Sequence, residues 1–325
     1  AACHWCHVMA HECFENPEIA ALMNKSFDDI KLDREERPDI DKAYQLAHQA
    51  LNGRGGGWPL TAFLDPQNLT PFYIGTYFPP SPRHGLPAFP EVLQRVLEYF
   101  DTHRSELRAQ ARQLHEWLQH AHVGASEQAV EPATARAKAM QRIAERFDHQ
   151  HGGNVGAPKF PRAVELEWLL DPSPSGRRGV KTPPFLLRAA PDEGSDLPCP
   201  HPCPSPGGRG VLDMAHLTLA SMAARGLQDH LGGGFFRYCV DADWTIPHFE
   251  KMLYDNAQLL PVYARAAAVP DADSALRDQA TAAAQGIVDW LAHDMIAATG
   301  AFFSSLDADS EHEEGKHYLW TRDEV

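Results

Sequence analysis

Two cysteines near the start of the chain are spaced for thiol chemistry. Cys3 and Cys6 lie three residues apart, in the run Cys-His-Trp-Cys-His. Both sulfurs therefore fall on the first turn of a helix, where they can form a disulfide or share a metal. The unpaired N–H groups at a helix N-terminus also favour a thiolate. In the redox interpretation, Cys3 is the exposed nucleophile and Cys6 the resolving thiol.

Three other interpretations of this motif stay open. Cys-x-x-Cys-His is also the attachment motif of c-type haem, with His7 as the axial ligand. Cys3, Cys6, His7 and His11 form a set that zinc accepts. The cysteines could also be buried and inert, although histidines beside them do not suit an apolar core. The strand-rich sequence downstream argues against a c-type haem protein, and nothing in the sequence indicates a closed tetrahedral zinc site. We therefore predict neither a cofactor nor a metal.

A proline after a glycine-rich turn supports the redox interpretation. Residues 53–57 lead into Trp58-Pro59 and then into a predicted strand. A cis proline in such a loop commonly lies against a redox-active cysteine pair, so we expect a cis peptide bond here. Trp58 and Pro59 would then shape the substrate-binding edge.

The elements that must position these residues alternate between helix and strand over residues 1–121. The predicted helices and strands follow from apolar spacing and from proline and glycine signals. In chain order they are a helix from Cys6 to Cys13, a helix from Pro17 to Asn24, a strand Phe27–Asp33, a helix from Pro38 to Leu51, strands Leu60–Leu64 and Pro71–Gly75, and one long helix from Phe89 to His120.

Residues 122–135 are polar and rich in small side chains, which predicts a linker. The helices predicted after it are 133–147, 163–170, 211–231, 248–269 and 273–297, with no strand ladder. Glycine-containing loops recur behind three of them, at Asp148–Gly153, Asp229–Phe236 and Thr299–Phe303. Recurring helix pairs joined by such loops are typical of a helical toroid.

One segment does not fit this pattern. Residues 171–210 hold 10 of the 26 prolines and six glycines, a composition that predicts a disordered insertion. Cys199 and Cys203 flank His201 within it, but further zinc ligands are not evident nearby, and we interpret them as stray cysteines.

Composition bounds the class of protein. The chain has 325 residues, enough for two domains, with 43% hydrophobic and 22% charged residues, as in soluble globular proteins. A net charge of −15 argues against nucleic acid or an anionic membrane as partner, and no apolar run is long enough to span a bilayer. Six cysteines are too few for a disulfide-stapled secreted scaffold, which favours the cytoplasm.

Several longer runs closely resemble one known family. They are Cys3–Met9, Lys31–Asp39, Gly56–Thr61, Gly75–Pro80, Ala157–Pro161, Gly233–Tyr238, Asp243–Gln258, Asp307–Ser310 and Glu314–Lys316. Together they resemble a thioredoxin-domain-containing family that includes a mammalian spermatogenesis-associated thioredoxin-like protein. The matches cover nearly all of the chain outside residues 171–210.

The resemblance implies an α/β thioredoxin-like domain over residues 1–121, followed over 136–325 by an all-α (α/α)6 toroid of the six-hairpin glycosidase type. A strand normally precedes a thioredoxin motif, and a full toroid needs twelve helices, of which only about half fit here. We therefore expect this chain to be truncated at both ends.

A second set of candidate site residues lies in the helical half. Aromatic, guanidinium, carboxylate and imidazole groups are the set that binds sugar rings, by stacking and by hydrogen bonds to hydroxyls. His248 and Glu250 could act as acid and base. The expected substrate-binding residues are Arg237, Tyr238, Asp241, Asp243, Trp244 and Asp255, with Asp307 and Asp309 as a second carboxylate cluster.

The leading hypothesis is thiol–disulfide exchange with a protein dithiol or disulfide, in a chain that also carries a glycosidase-like toroid. The alternative is a protein that binds, isomerises or hydrolyses a sugar-like small molecule through the toroid, with the dithiol domain structural. A third is an interaction protein in which both sites are vestigial.

Overall fold

The structure, a computed structural model, describes residues 3–83, 85–122, 131–170, 209–269 and 274–322. The chain divides into two units. The first holds Ala1–Ala129 together with Asp307–Glu314, and the second holds Val130–Leu306 together with Gly315–Val325. The predicted insertion lies outside the described residues, except that Arg209 and Gly210 begin a helix.

The first unit begins with the helix that carries the cysteine pair. Helix α1 spans His4–Met9 and continues as a π-helical turn, Ala10–Phe14. Cys3 is the N-cap residue, and its sulfur accepts a hydrogen bond from the Cys6 N–H at 3.3 Å. This confirms that the motif occupies the first turn of a helix. Helix α2, Pro17–Ser26, is capped by Asn16, as the Asn-Pro signal predicts.

The strand predicted for residues 27–33 is wrong. Among the described residues no segment pairs with it, and a strand depends on a neighbour for its backbone hydrogen bonds. Two of the three apolar side chains of residues 27–33, Ile30 and Leu32, are 78% and 39% exposed, whereas Phe27 packs against the core. Helix α3, Pro38–Asn52, follows and is capped by Gly53. The φ of Gly53 is 69°, in the left-handed region that glycine adopts most easily.

A hairpin forms the sheet of this unit. Strands β1, Thr61–Leu64, and β2, Pro71–Gly75, pair antiparallel in the predicted positions. The long helix predicted next is two helices, α4 (Phe89–Thr102) and α5 (Arg104–His122), because His103 leaves the helical conformation. The core joins the cysteine helix to the sheet and α4, through Met9, Cys13, Ile19, Phe63, Phe78, Phe89, Val92, Leu93 and Val96.

The second unit is mainly helical. Its helices are α6 (Pro132–Arg146), α7 (Ala163–Leu170), α8 (Arg209–Ala224), α9 (Leu253–Ala267) and α10 (Ser274–Asp294). Helix α9 packs on α7 and α10, and α8 packs on both of these as well. None of the helices in the described part of the chain is long and apolar enough to cross a membrane.

Only two-residue strands accompany these helices, consistent with the expected lack of a strand ladder. β3 (Tyr238–Cys239) pairs with β4 (Pro247–His248), and β5 (Lys251–Met252) pairs with β6 (Ser305–Leu306). In the first unit, β7 (Asp309–Ser310) pairs with β8 (Glu313–Glu314). Because β4 and β5 precede α9, that helix begins five residues later than predicted.

Two of the recurring glycine loops have the same internal hydrogen bonds. In the first, Lys159 Nζ lies 2.6 Å from Asp148 Oδ2 and donates to the Gly152 carbonyl at 2.6 Å. The other Asp148 oxygen accepts from the backbone N–H groups of Gln150 and His151. The Lys159 side chain is almost fully buried, and Asp148 is mostly buried beside it.

The second loop reproduces each of these contacts. Lys251 Nζ lies 2.6 Å from Asp229 Oδ2 and donates to the Gly233 carbonyl at 2.8 Å. The remaining Asp229 oxygen accepts from the N–H groups of Leu231 and Gly232.

The electrostatics of these pairs follow from burial and contact. Burial alone would raise the pKa of the Asp148 carboxyl, but Lys159 and the backbone donors outweigh it and lower this pKa to about 2. In the second loop the pKa of Asp229 is likewise lowered, because Lys251 and the backbone donors outweigh burial. Both carboxylates therefore stay ionised near neutrality and neutralise a buried ammonium group.

Asp229→Asn should destabilise the protein strongly, because it leaves the Lys251 ammonium buried without its counter-charge. We expect a loss of about 3 kcal/mol in the free energy of unfolding, measured by urea denaturation. Adding Lys251→Met should recover part of this loss, since the buried charge is then gone. Asp278→Asn, on the exposed face of α10, is the matched control and should change stability by less than about 0.5 kcal/mol. Equal losses in the two asparagine variants would contradict the role of the pair.

Candidate functional site

The cysteine pair is oxidised in this structure. A disulfide joins Cys3 to Cys6, with 5.2 Å between their Cα atoms, and both residues are half-buried. In this state neither sulfur is available as a thiolate ligand or for a thioether bond to haem. Within the described ranges, no group of three or more histidine, cysteine, aspartate or glutamate residues is placed to hold a metal ion.

The histidine after each cysteine is paired with a carboxylate from far along the chain. His4 Nδ1 lies 2.8 Å from Asp309 Oδ1, and its Nε2 lies 3.6 Å from Glu314 Oε2. His7 Nε2 lies 2.9 Å from Asp307 Oδ2. Asp307 and Asp309 were expected in a sugar site of the helical half, but they belong to the first unit and contact the cysteine motif instead.

A second network fixes the same helical segment from its other end. The Glu12 carboxylate accepts hydrogen bonds from Tyr77 Oη at 2.5 Å and Arg83 Nη2 at 2.5 and 2.7 Å, and Arg83 also contacts the Tyr77 hydroxyl. Burial raises the pKa of Glu12, but these two partners outweigh it and lower the pKa. The Tyr77 ring meets the Trp5 ring edge to face at 5.3 Å, so this network reaches the residue between the cysteines.

The peptide bond between Trp58 and Pro59 is cis, which confirms the expectation from the sequence. The Trp58 indole donates to Asp41 Oδ1 at 2.8 Å, and the Arg34 guanidinium lies 4.2 Å from its ring centre. These contacts tie the proline loop to α3 and to the segment before it. The role of Trp58 and Pro59 at a substrate edge stays a prediction.

The two remaining cysteines of the described residues are buried free thiols. Cys13 lies in the π-helical turn, and its sulfur donates to the Phe78 carbonyl at 3.4 Å. Burial raises the pKa of the Cys13 thiol to about 11 and that of Cys239 to about 12. Neither is a thiolate near neutrality, so neither is suited to act as a nucleophile.

The sequence-predicted residues of the helical half converge around strands β3 and β4. The rings of Phe160, Tyr238 and His248 form a stack, with centres 4.7 and 4.9 Å apart. Next to it, Arg237 Nη1 lies 2.7 Å from Glu250 Oε2, and His248 Nε2 lies 3.5 Å from Glu250 Oε1. The structure therefore brings Arg237, Tyr238, His248 and Glu250 together.

Glu250 is nevertheless closed to a ligand. Its side chain is 3% exposed, and Arg237 holds one of its oxygens. Burial raises the pKa of Glu250, but His248 and Arg237 outweigh burial and lower it. Asp255, in the first turn of α9, influences the Arg237 guanidinium. Burial lowers the pKa of Arg237, but Glu250, Tyr254 and Asp255 outweigh burial and raise it. The expected catalytic base is thus a carboxylate neutralised inside an ion pair.

Asp241, Asp243 and Trp244 organise a loop. Asp241 accepts hydrogen bonds from the backbone N–H groups of Asp243, Thr245 and Ile246. The Asp243 carbonyl accepts from an arginine, Arg225, at 2.6 Å. The prediction that Trp244 stacks on a sugar conflicts with the structure, because its indole is fully buried.

Sequence reasoning missed several of these partners. Phe160 entered the sequence analysis only as part of the run Ala157–Pro161, although an aromatic residue flanked by prolines was a usable signal of a loop position. Glu12 was a weaker signal, as the only carboxylate between Cys6 and Cys13 in the sequence. Nothing local connects His4 with Asp309, because their pairing spans 305 positions.

A disulfide-forming Cys-x-x-Cys pair at a helix start, followed by helices and a β-hairpin, agrees with the thioredoxin-like class that the comparisons with known proteins show. A family model named Thioredox_DsbH, described as a protein of unknown function, DUF255, matches residues 1–119. The chain belongs to the thioredoxin-like family that includes spermatogenesis-associated protein 20.

Curated relatives match the rest of the chain as well. The chain is 36% identical over 334 aligned positions to spermatogenesis-associated protein 20 of Homo sapiens and to that of Mus musculus, in each case over 100% of this chain and 38% of the relative. An uncharacterized protein of Caenorhabditis elegans is 37% identical over 267 positions, which cover 81% of this chain and 32% of that protein. The chain thus spans well under half the length of these relatives.

The burial of Cys13 and Cys239 predicts selective alkylation. After mild reduction at pH 8, iodoacetamide should modify Cys3 and Cys6 within minutes. Cys13 and Cys239 should stay unmodified until denaturant is added, because a thiol with a pKa of about 11 is ionised to only about one part in a thousand at this pH. Peptide mass spectrometry gives the extent at each cysteine. Labelling of Cys13 in the folded protein as fast as Cys6 would show that the burial argument is wrong.

Proposed function

We propose that the first unit carries out thiol–disulfide exchange through Cys3 and Cys6. The observation that carries this proposal is the disulfide between two half-buried cysteines at the start of a helix. The match of residues 1–119 to a thioredoxin-like family model supports it. The two buried thiols of the described residues are unsuited to the same role, because their pKa values are raised.

The reaction uses the pair in its reduced form. The Cys3 thiolate attacks one sulfur of a substrate disulfide, so that a mixed disulfide forms and one substrate thiolate leaves. Cys6, as a thiolate, then attacks the Cys3 sulfur, which releases the second substrate thiolate and restores the Cys3–Cys6 disulfide. Two electrons pass to the substrate, whose thiolates take up the two protons that the cysteine thiols lost.

Contacts around Cys3 suit the role of nucleophile. The Cys6 N–H points at the Cys3 sulfur at 3.3 Å, and a backbone donor so placed would stabilise a thiolate there. Trp5, between the two cysteines, is 49% exposed and offers apolar surface to a substrate peptide. A cytoplasmic setting, which the low cysteine content favours, would return the pair to the dithiol form between turnovers.

Cys3→Ser should abolish disulfide reductase activity. With insulin as substrate and dithiothreitol as the source of electrons, we expect the rate above the uncatalysed background to fall at least a hundredfold, because the attacking thiolate is gone and Cys6 alone has no partner with which to form the internal disulfide. Cys6→Ser should also block turnover; mixed with insulin after reduction and removal of dithiothreitol, it should trap a mixed disulfide on Cys3, visible by mass spectrometry of the intact protein.

Cys13→Ser is the matched control for this experiment. It removes a thiol from the same helical segment, keeps a donor for the Phe78 carbonyl and should retain the wild-type rate. If wild type and Cys3→Ser reduce insulin at the same rate, thiol–disulfide exchange is not the function of this unit.

A second candidate function concerns the second unit. We propose that it has the architecture of a six-hairpin (α/α)6 toroid and binds a sugar-like ring beside Phe160. Two observations support this: helix pairs joined by glycine loops with the same Asp–Lys contacts, and the aromatic stack, whose outer ring, Phe160, is 45% exposed. Aromatic faces next to charged and imidazole groups suit sugar recognition.

Phe160→Ala should weaken sugar binding, because it removes the exposed face of the stack. Titration calorimetry with a panel of mono- and disaccharides should show at least one ligand whose affinity falls about tenfold in this variant. Phe303→Ala, which removes a comparably exposed ring of the same unit, should leave that affinity unchanged. Absence of heat with every sugar in the wild-type protein would refute this second function.

A further inference from the structure

The carboxylates beside the cysteine motif come from one short hairpin, Asp307–Glu314, which we name the acidic hairpin. Its strands, β7 and β8, place Asp309 directly opposite Glu314. Glu311 and His312 form the two-residue turn with φ values of 53° and 67°. Positive φ at both central positions is the geometry of a tight hairpin turn, which asparagine or glycine usually provides. The hairpin thus holds two like charges face to face on one side.

The acidic hairpin brings a concentrated negative charge to the cysteine motif. Five of its eight residues are aspartate or glutamate, and it contains no lysine or arginine. Asp309 and Glu314, facing each other, would repel, but the His4 imidazole lies between them and contacts both. Asp307 engages His7, and the ring of His312 stacks on His11 at 6.4 Å. The hairpin therefore contacts the cysteine helix through three successive histidines.

These contacts are specific rather than diffuse. The His4 and Asp309 side chains are 20% and 12% exposed, so their pair is partly shielded from solvent. His7 and Asp307 form a more open pair, 46% and 39% exposed. Glu313 is exposed and takes no part in these pairs. The acidic residues of the hairpin therefore differ in whether they contact a histidine next to a cysteine, although all carry the same charge.

We propose that Asp307 and Asp309 are positioning residues that hold the Cys3–Cys6 pair in its disulfide form and make it harder to reduce. This inference rests on the proposed function in taking the pair as redox-active. It adds that the ease of reduction is set by side chains some 300 positions away in the sequence. The two aspartates act through His4 and His7, which directly follow the two cysteines.

The physical reason is the difference in charge between the two redox states. The disulfide is neutral, whereas the reduced pair carries negative charge whenever one cysteine is a thiolate. Carboxylates at His4 and His7 repel that charge. They also occupy the two imidazoles that could otherwise hydrogen-bond to a thiolate. Because binding and redox state are linked, an acidic hairpin that contacts the oxidised form more favourably must raise the free energy of reduction by the same amount.

The test is a redox titration of the whole chain against glutathione. Two glutathione molecules reduce the pair: the Cys3–Cys6 bond breaks, the sulfur–sulfur bond of oxidised glutathione forms, and two electrons and two protons pass to the cysteines. Alkylation after acid quenching, cleavage after Glu12 and mass spectrometry of the peptide that then holds only Cys3 and Cys6 give the reduced fraction. This readout needs no reductase activity and is independent of the other cysteines.

In the double variant Asp307→Asn, Asp309→Asn the disulfide should be easier to reduce. We expect the equilibrium constant for reduction by glutathione to rise about three- to tenfold, equivalent to about 14 to 30 mV in reduction potential. Glu313→Gln makes the same change of charge on the same hairpin without touching either imidazole and should stay within about 1.5-fold of wild type. If the double variant proves poorly folded, the single variant Asp307→Asn, in the more exposed of the two pairs, takes its place: its constant should still rise, whereas Asp307→Glu, which keeps the charge, should stay near the wild-type constant.

Two results would overturn the inference. One is a double variant with the wild-type constant, which would mean that the aspartates have no influence on reduction. The other is an equal shift in Glu313→Gln, which would reveal a general effect of charge in place of the two carboxylate–imidazole pairs. Neither result bears on thiol–disulfide exchange, which the insulin assay tests separately. A wild-type protein that does not reduce insulin would count against that function, and the glutathione titration could still be carried out.

Discussion

Neutralisation of buried charge is the constraint on which the second unit depends. Lys159 and Lys251 each place an ammonium group inside the protein, where an uncompensated charge would cost several kcal/mol. Each therefore has a carboxylate, Asp148 or Asp229, and a backbone carbonyl within hydrogen-bonding distance. The glycines supply the sharp turns that bring these groups together.

In the first unit, ionic contacts surround the cysteine pair instead. The Cys3–Cys6 disulfide sits at a helix start that is fixed on one side by Glu12 with its tyrosine and arginine partners. On the other side, carboxylates of the acidic hairpin engage His4 and His7. The two sulfurs therefore lie among ionisable groups on both sides, and under the proposed function these groups set how readily the pair exchanges.

Features encoded by neighbouring residues were predictable from the sequence. The Asn16 cap, the β1–β2 hairpin and the cis bond before Pro59 all follow from short-range signals. The strand expected at residues 27–33 failed because strand formation depends on a partner, which a local pattern does not specify. Trp244 failed as a ligand-stacking residue because residue type does not determine burial. The pairing of His4 with Asp309 depends on the folded path of the chain and has no local signature.

The third glycine loop differs from the other two in lacking the aspartate of the ion pair. The loop at Ala297–Ala301 makes a similar turn, with Gly300 N–H donating to the Ala297 carbonyl, but an alanine stands where the other two loops begin with aspartate. A lysine contact of the kind made by Lys159 and Lys251 would be unbalanced there. An aspartate and a lysine at these positions therefore have to occur together, because either alone would be an uncompensated interior charge.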